Sequence, residues 1–344
     1  MSPSCIVGAI TGPSAALAIA LAAACAMAAA AETPKAAAAT PDNAEAVTLR
    51  VDWLHSNYHS PFFLGIAKGW YSEAGIDLTI NEGRGSGSVV QLVGNNSDTF
   101  GFAGADAVVR GVQLNIPVVS VANMMPKNAD TMFVLAKSGI TRPQDLRGKT
   151  IATTPGSTSD ALLPAFLAGA GLAASDVTIV PVDPAVKVQT VLQGRADATP
   201  LVAWFTSSFT EAGGAIGFPF ADYGVEVVGY GIVTNSETAK NRPDLVRRFV
   251  AVTMRAWDYA LKNPEEALLA LEKASVENAK PNAKARNRIG LPDAFKLVKP
   301  AVPGKPFGTQ NEADWEKMQN QLIEYRVIKE RRPVGQYLTN RFVQ

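Results

Sequence analysis

Thiols and imidazoles are almost missing from this sequence. Its 344 residues include two cysteines, Cys5 and Cys25, and two histidines, His55 and His59. With both cysteines near the N-terminus, the rest of the chain can form no disulfide, thiol nucleophile or thiolate metal site. The histidines share one stretch, and no Ser–His–Asp order stands out. As an i, i+4 pair they could hold a metal only on a helix, and Pro61 just after them argues for a loop. A third ligand would have to come from Asp52, Glu82 or Asp106. Long runs of Lys or Arg are missing too, and the formal charge is +1, which leaves no electrostatic footprint for nucleic acid. Gly83-Arg-Gly-Ser-Gly87 has the look of a phosphate loop but contains neither G-x-G-x-x-G nor a Walker lysine. From these absences we expect no cofactor, no metal and no catalysis.

What is present begins with an apolar N-terminus. Residues 6–31 are small and apolar and end in A-x-A options near Ala29 to Ala31, the layout of a signal peptide over residues 1–31, although no Lys or Arg precedes the run. Residues 32–46 read as a linker, and the protein is expected in the periplasm. The run is long enough to span a bilayer, but its alanine richness makes a poor span. A lipid anchor at Cys25 is the lesser alternative, since Leu21 sits one place too far upstream for a lipobox. No transmembrane segment is expected after it.

From residue 47 onward the chain alternates. Residues 47–53, 76–80, 99–103 and 118–122 are short runs that read as strands. Residues 62–74, 86–93 and 106–113 have helical character, the first two closed by Gly75 and Gly94. Further strands are expected at 131–136, 150–154, 177–182 and 196–202, with helices at 141–148, from Ser157, and at 185–192. Thr141 suits a cap, Pro143 a first turn and Gly148 a stop. Ser157 with Asp160 three residues later matches a capping box, and Pro164 predicts a kink or a late start in that helix. Alternation with short loops implies parallel pairing through right-handed crossovers, an α/β protein of two doubly wound units. After Asn235 the pattern turns helical. Residues 243–261 are amphipathic, Asn263-Pro264 opens another helix, Asn311 caps a helix over 312–324, and 280–284 reads as loop.

Several stretches stand out together by their order and spacing. They are Asp52-Trp53 with His59, Gly65-Ile-Ala-Lys-Gly69-Trp-Tyr-Ser-Glu-Ala-Gly-Ile-Asp77, and Phe100-Gly-Phe-Ala-Gly-Ala-Asp106. Then come Asp145-Leu-Arg-Gly-Lys149, Thr153-Thr-Pro-Gly-Ser157, Gln193-Gly-Arg-Ala-Asp197, Gly231-Ile-Val-Thr-Asn235 and Arg242-Pro-Asp244. Together they resemble the NMT1/THI5-like family of type II periplasmic binding proteins, and the resemblance covers roughly residues 47–275. It implies two α/β lobes joined by a two-strand hinge, with lobe 1 at 47–132 and 234–344 and lobe 2 at 133–233. It also implies a ligand-capture protein that serves an ABC permease in the inner membrane. The pyrimidine-binding branch has the pattern D-W-x-P-N-x-x-H, and here His55 and Ser56 replace its proline and asparagine. The eukaryotic synthases of the family carry a Cys-rich motif that this chain lacks, so the resemblance implies a receptor and not an enzyme.

Ligands of doubly wound sheets lie beyond the carboxyl ends of the strands. That places Trp53, Asn57 and His59 in the first loop as candidates to stack on and hydrogen-bond a planar solute, with Tyr58 beside them and His55 a weaker candidate. Ser86 at a helix start, with Arg84 as a lesser option, can serve an acceptor group. Asp106 either contacts ligand or caps its helix. Gly156, Ser157 and Thr158 are the matching helix start of the second unit. Trp204 and Tyr230 follow strands and can close over the ligand, or pack the hinge. The expected solute is small, planar or anionic, such as a pyrimidine-like precursor, an aromatic acid or a sulfonate, and Phe62 and Phe63 favour an organic ligand over nitrate. A monomer is expected. The competing reading is a sensor or partner-binding module built on the same cleft; a metal-dependent enzyme is more remote.

Overall fold

The computed structural model describes residues 44–344, so the expected signal peptide, most of the linker, Cys5 and Cys25 lie outside the described residues. In chain order the first part runs β1 (Glu45–Arg50), α1 (Ser60–Ala67), α2 (Trp70–Glu73), β2 (Ile76–Asn81), α3 (Ser86–Gly94), β3 (Phe100–Gly104), α4 (Ala105–Gln113) and β4 (Val118–Asn123). There follow β5 (Asp130–Leu135), β6 (Thr150–Thr153), α5 (Thr158–Gly169), β7 (Thr178–Pro181), α6 (Lys187–Leu192), β8 (Ala198–Val202) and β9 (Ala215–Pro219). The chain ends with β10 (Tyr230–Asn235), α7 (Ser236–Asn241), α8 (Pro243–Lys262), α9 (Pro264–Ala274), α10 (Pro281–Phe295) and α11 (Glu312–Glu324).

Two sheets result, in the orders β2-β1-β3-β10-β4 and β7-β6-β8-β5-β9. Around β1 and β6 the pairing is parallel, as expected of βαβ units. One strand in each sheet departs from that expectation. β10 lies antiparallel between β3 and β4, and β5 lies antiparallel between β8 and β9. The reason is connectivity. Each of these strands arrives directly from the other lobe and not through a helical crossover, so the βαβ rule does not fix its direction. The chain passes between lobes at residues 124–129 and 220–229. β5 from Asp130 lies wholly in the second sheet and β10 from Tyr230 wholly in the first, so both crossings fall a few residues earlier than expected.

Other differences are local. β1 starts at Glu45, inside the expected linker. The helix expected over 62–74 is broken, because Gly69 takes φ +73° between α1 and α2. The short helix after Arg142 is 3₁₀, and Thr141 does not cap it; its backbone and hydroxyl both donate to Asp145 Oδ2. Pro164 neither delays nor ends α5, which starts at Thr158 and runs to Gly169. Residues 280–284 enter α10 and are not loop: Pro281 sits in its first turn, and the buried face is small or polar (Ala283, Asn287, Gly290, Ala294) except for Leu291, a face that gives little hydrophobic signal. This helix packs on the segment after β8, where a Cβ at Gly290 would lie 2.6 Å from the Trp204 carbonyl. At the second crossing, the side chains of Gln321 on α11 and of Tyr325 just after it donate to the Gly224 carbonyl.

Candidate ligand-binding cleft

The loops at the carboxyl ends of the strands meet between the lobes, where doubly wound sheets place ligands. They border a small cavity of about 30 Å³. Lobe 1 supplies Asp52, Trp53, Tyr58, Gly85 and Ser86, and Tyr230 enters as the first residue of β10. From lobe 2 come Ser157, Thr158, Ser159, Lys187, Leu201, Val202 and Phe205, with Asp130 as the first residue of β5.

The floor is a fixed carboxylate. Ser56 N–H donates to His59 Nδ1 (3.3 Å), so the His59 proton sits on Nε2 and is donated to Asp52 Oδ1 at 2.9 Å. Tyr58 OH donates to the same carboxylate at 3.0 Å. Burial first, and Asp52 second, push the Tyr58 hydroxyl well above its ordinary pKa, so it stays a donor. His59 itself is fully buried behind Asp52. It orients Asp52 and does not border the cavity.

Of the candidates named from sequence, the structure brings Trp53, Ser86, Ser157, Thr158 and Tyr230 together in the cavity wall. Tyr58 joins them, and the rest lie elsewhere. Asn57 is buried and tied to Asn287 O and Tyr58 N. Trp204 packs its ring 4.8 Å from that of Tyr58, and the adjacent Phe205 faces the cavity in its place. Asp106 makes no cap bond to α4; it pairs with Arg110 at 2.8 Å and accepts from Thr158 Oγ1 at 3.0 Å. Gly156, at φ +83°, offers its carbonyl to Gly87 N–H at 3.0 Å. His55 stands edge-on to Phe63, and burial, helped by His59, lowers its pKa to about 4. Arg84 pairs with Asp183 across the mouth.

Three of these contacts join the lobes: Gly87 to Gly156, Thr158 to Asp106, and Arg84 to Asp183. The structure is therefore closed. The exposed Arg84 pair adds little, whereas a buried hydroxyl on a carboxylate contributes about 1.5–3 kcal/mol. Thr158→Val keeps the volume and deletes that bond. It is expected to weaken binding of the best ligand by about 10-fold or more, and calorimetric titration showing no loss would remove this contact from the closure account.

Among the cavity residues not found from sequence, two are ionisable. Lys187 is 1% exposed, its Nζ has no hydrogen-bond partner among the described residues, and it lies 5.4 Å from the Trp53 ring centroid. Burial lowers its pKa to about 8, against the attraction of Asp130 and Asp160. Asp130 is also buried, with Oδ2 unpartnered. Burial and then Asp106 raise its pKa to about 8, with Asp52 adding and Lys187 opposing. In the ligand-free protein both groups reduce stability. The Asp130 penalty grows as pH rises from about 4 to about 8; that of Lys187 grows as pH falls from about 10.5 to about 8. Lys187→Met is thus expected to raise the unfolding midpoint at pH 7, with the gain shrinking as pH goes from 8 toward 10.5. A gain independent of pH would show that Lys187 is not held as a buried cation.

The comparisons agree with this architecture. A formylaminopyrimidine-binding protein from Halalkalibacterium halodurans is 24% identical over 81% of this chain and 86% of its own. A protein of Saccharomyces cerevisiae named 4-amino-5-hydroxymethyl-2-methylpyrimidine phosphate synthase is 25% identical over 65% of this chain and 70% of its own. Among solved structures, the alkanesulfonate-binding protein of Xanthomonas axonopodis pv. citri bound to MOPS superposes with a TM-score of 0.68 at 18% identity, covering 88% of this chain and all of that one. The family model described as NMT1/THI5 like matches residues 56–267. With that match over most of the folded part, and the two-lobed fold of the type II periplasmic binding proteins, the chain belongs to the NMT1/THI5-like family.

Proposed function

We propose that this protein is a receptor and not an enzyme: it captures one small organic solute between its lobes, in the periplasm, and passes it to an ABC permease in the inner membrane. The observation that carries the reading is the composition of the cavity wall. Trp53, Tyr58, Phe205 and Tyr230 offer ring faces, and Ser157, Thr158 and Ser159 offer hydroxyls and N–H groups at the start of α5. Neither lobe holds the whole set, so binding and closure are one event. Asp52, which elsewhere could act as a base, is committed to Tyr58 and His59. A pyrimidine-like precursor, an aromatic acid or a sulfonate suits the rings and polar groups that line the cavity, and the chain is read as a monomer with no nucleic-acid partner.

A thermal-shift screen of pyrimidines, aromatic carboxylates, sulfonates, flavins and nitrate tests this. A ligand at 100 times its dissociation constant stabilises by about 2.7 kcal/mol, a rise of several degrees in the midpoint. One class is expected to give that rise. Silence from every class with folded protein, or turnover of the binding ligand, would overturn the reading.

A further inference from the structure

We propose that Lys187 and Asp130 form a two-ended subsite in which Lys187 receives a carboxylate or sulfonate of the solute and Asp130 accepts an N–H from the same molecule, so that the preferred class is amino-substituted aromatic acids. The inference rests on the capture reading above and deepens it.

Both side chains border the cavity, both are more than nine-tenths buried, and each leaves its charged atom without a hydrogen bond among the described residues. A buried ammonium or carboxylate left unpaired costs several kcal/mol, so such atoms mark places where something else completes the bonding. The two do not complete each other, because no ion pair joins them. They come from different elements, Asp130 opening β5 and Lys187 opening α6, and the gap between them belongs to the cavity. A solute with an anion toward Lys187 pairs that ammonium, and a donor toward Asp130 supplies the hydrogen bond that its Oδ2 lacks. The ring between them meets Trp53, which Lys187 already approaches. A pure anion would leave Asp130 unpaired, and a pure amine would leave Lys187 unpaired; each single-ended ligand therefore leaves one buried polar group unsatisfied.

The test is calorimetric titration of the full mature chain with 3- and 4-aminobenzoate, 3-aminobenzenesulfonate, benzoate, aniline and 4-amino-2-methylpyrimidine. The wild type is expected to bind at least one amino acid of the aryl series 10-fold or more tighter than benzoate and aniline. Lys187→Met should erase the advantage over aniline, and Asp130→Asn the advantage over benzoate. Lys187→Met removes an unpaired buried ammonium and Asp130→Asn keeps the size of the side chain, so both should fold, and a thermal midpoint close to or above wild type confirms it. Equal binding of the single-ended probes, or unchanged discrimination in either variant, overturns the subsite. Binding of the pyrimidine alone overturns the subsite and leaves capture standing; binding of no probe, with the wider screen also silent, removes both.

Discussion

Replacing Trp53 with alanine is expected to weaken binding of the best ligand by about 30-fold or more, while the protein remains folded. A buried aromatic anchor at the centre of a desolvated contact carries about 2–4 kcal/mol, and the Trp53 ring is 8% exposed at the edge of the cavity. Its apolar neighbours explain why folding survives. Trp53 comes from lobe 1 but joins the buried cluster of Phe133, Leu201 and Phe209 in lobe 2. The packing it loses on truncation therefore weakens closure more than the core of either lobe. Trp53→Phe should recover most of the affinity, since a ring face remains. Unchanged affinity in Trp53→Ala would remove stacking from the account, and a protein unfolded at 25 °C would reassign the residue to the core.

Gly85→Ala is expected to be as damaging, by a different route. Gly85 has φ +116° and lies where a Cβ would come within 2.8 Å of the Gly156 carbonyl and of Ser157 N. Both neighbours are backbone atoms of the opposite lobe, so no side chain can swing aside. Alanine there acts against the closed state, and a bias of about 3 kcal/mol raises the apparent dissociation constant by roughly 100-fold. Backbone strain alone is separated by Gly139→Ala, since Gly139 also has positive φ (+78°) but nothing within 4 Å of its added Cβ. That variant should lose about 1 kcal/mol of stability and keep its affinity. Small-angle scattering completes the test: ligand should compact the wild type and Gly139→Ala but not Gly85→Ala. Compaction of Gly85→Ala with wild-type affinity would show that the lobes need not meet at this point.

Much of the frame was legible because local rules carried it. Ser157 capping α5 through Asp160 N–H, and Asn311 capping α11, are short-range chemistry that neighbours do not override. The strand–helix alternation was readable for the same reason. The place of β10 in the middle of the first sheet was not, because a buried antiparallel strand and a buried parallel strand present the same apolar run, here Tyr230–Asn235. In the cleft, loop position identified Trp53, Ser86 and Ser157. It misplaced His59 and Asn57, since adjacency in a loop says nothing about which side chain faces the solute and which stands behind it. Lys187 was invisible for a plainer reason. A lysine between Val186 and Val188 at a helix start reads as a solvated side chain until the fold turns it inward over Trp53.

The threading of β10 also sets an order of events in time. The second sheet is built from one continuous stretch, Asp130 to Pro219, whereas the first needs β10 between β3 and β4. As the chain is synthesised, β4 emerges long before the strand that must join it to β3. At roughly 5–20 residues per second, that gap lasts on the order of 5–20 s. Lobe 2 can mature in that interval, while lobe 1 waits with strand edges unpaired. A pulse of hydrogen exchange during refolding should therefore protect the amides of β6 and β8 before those of β3 and β4, and the late species is the one that a chaperone would meet.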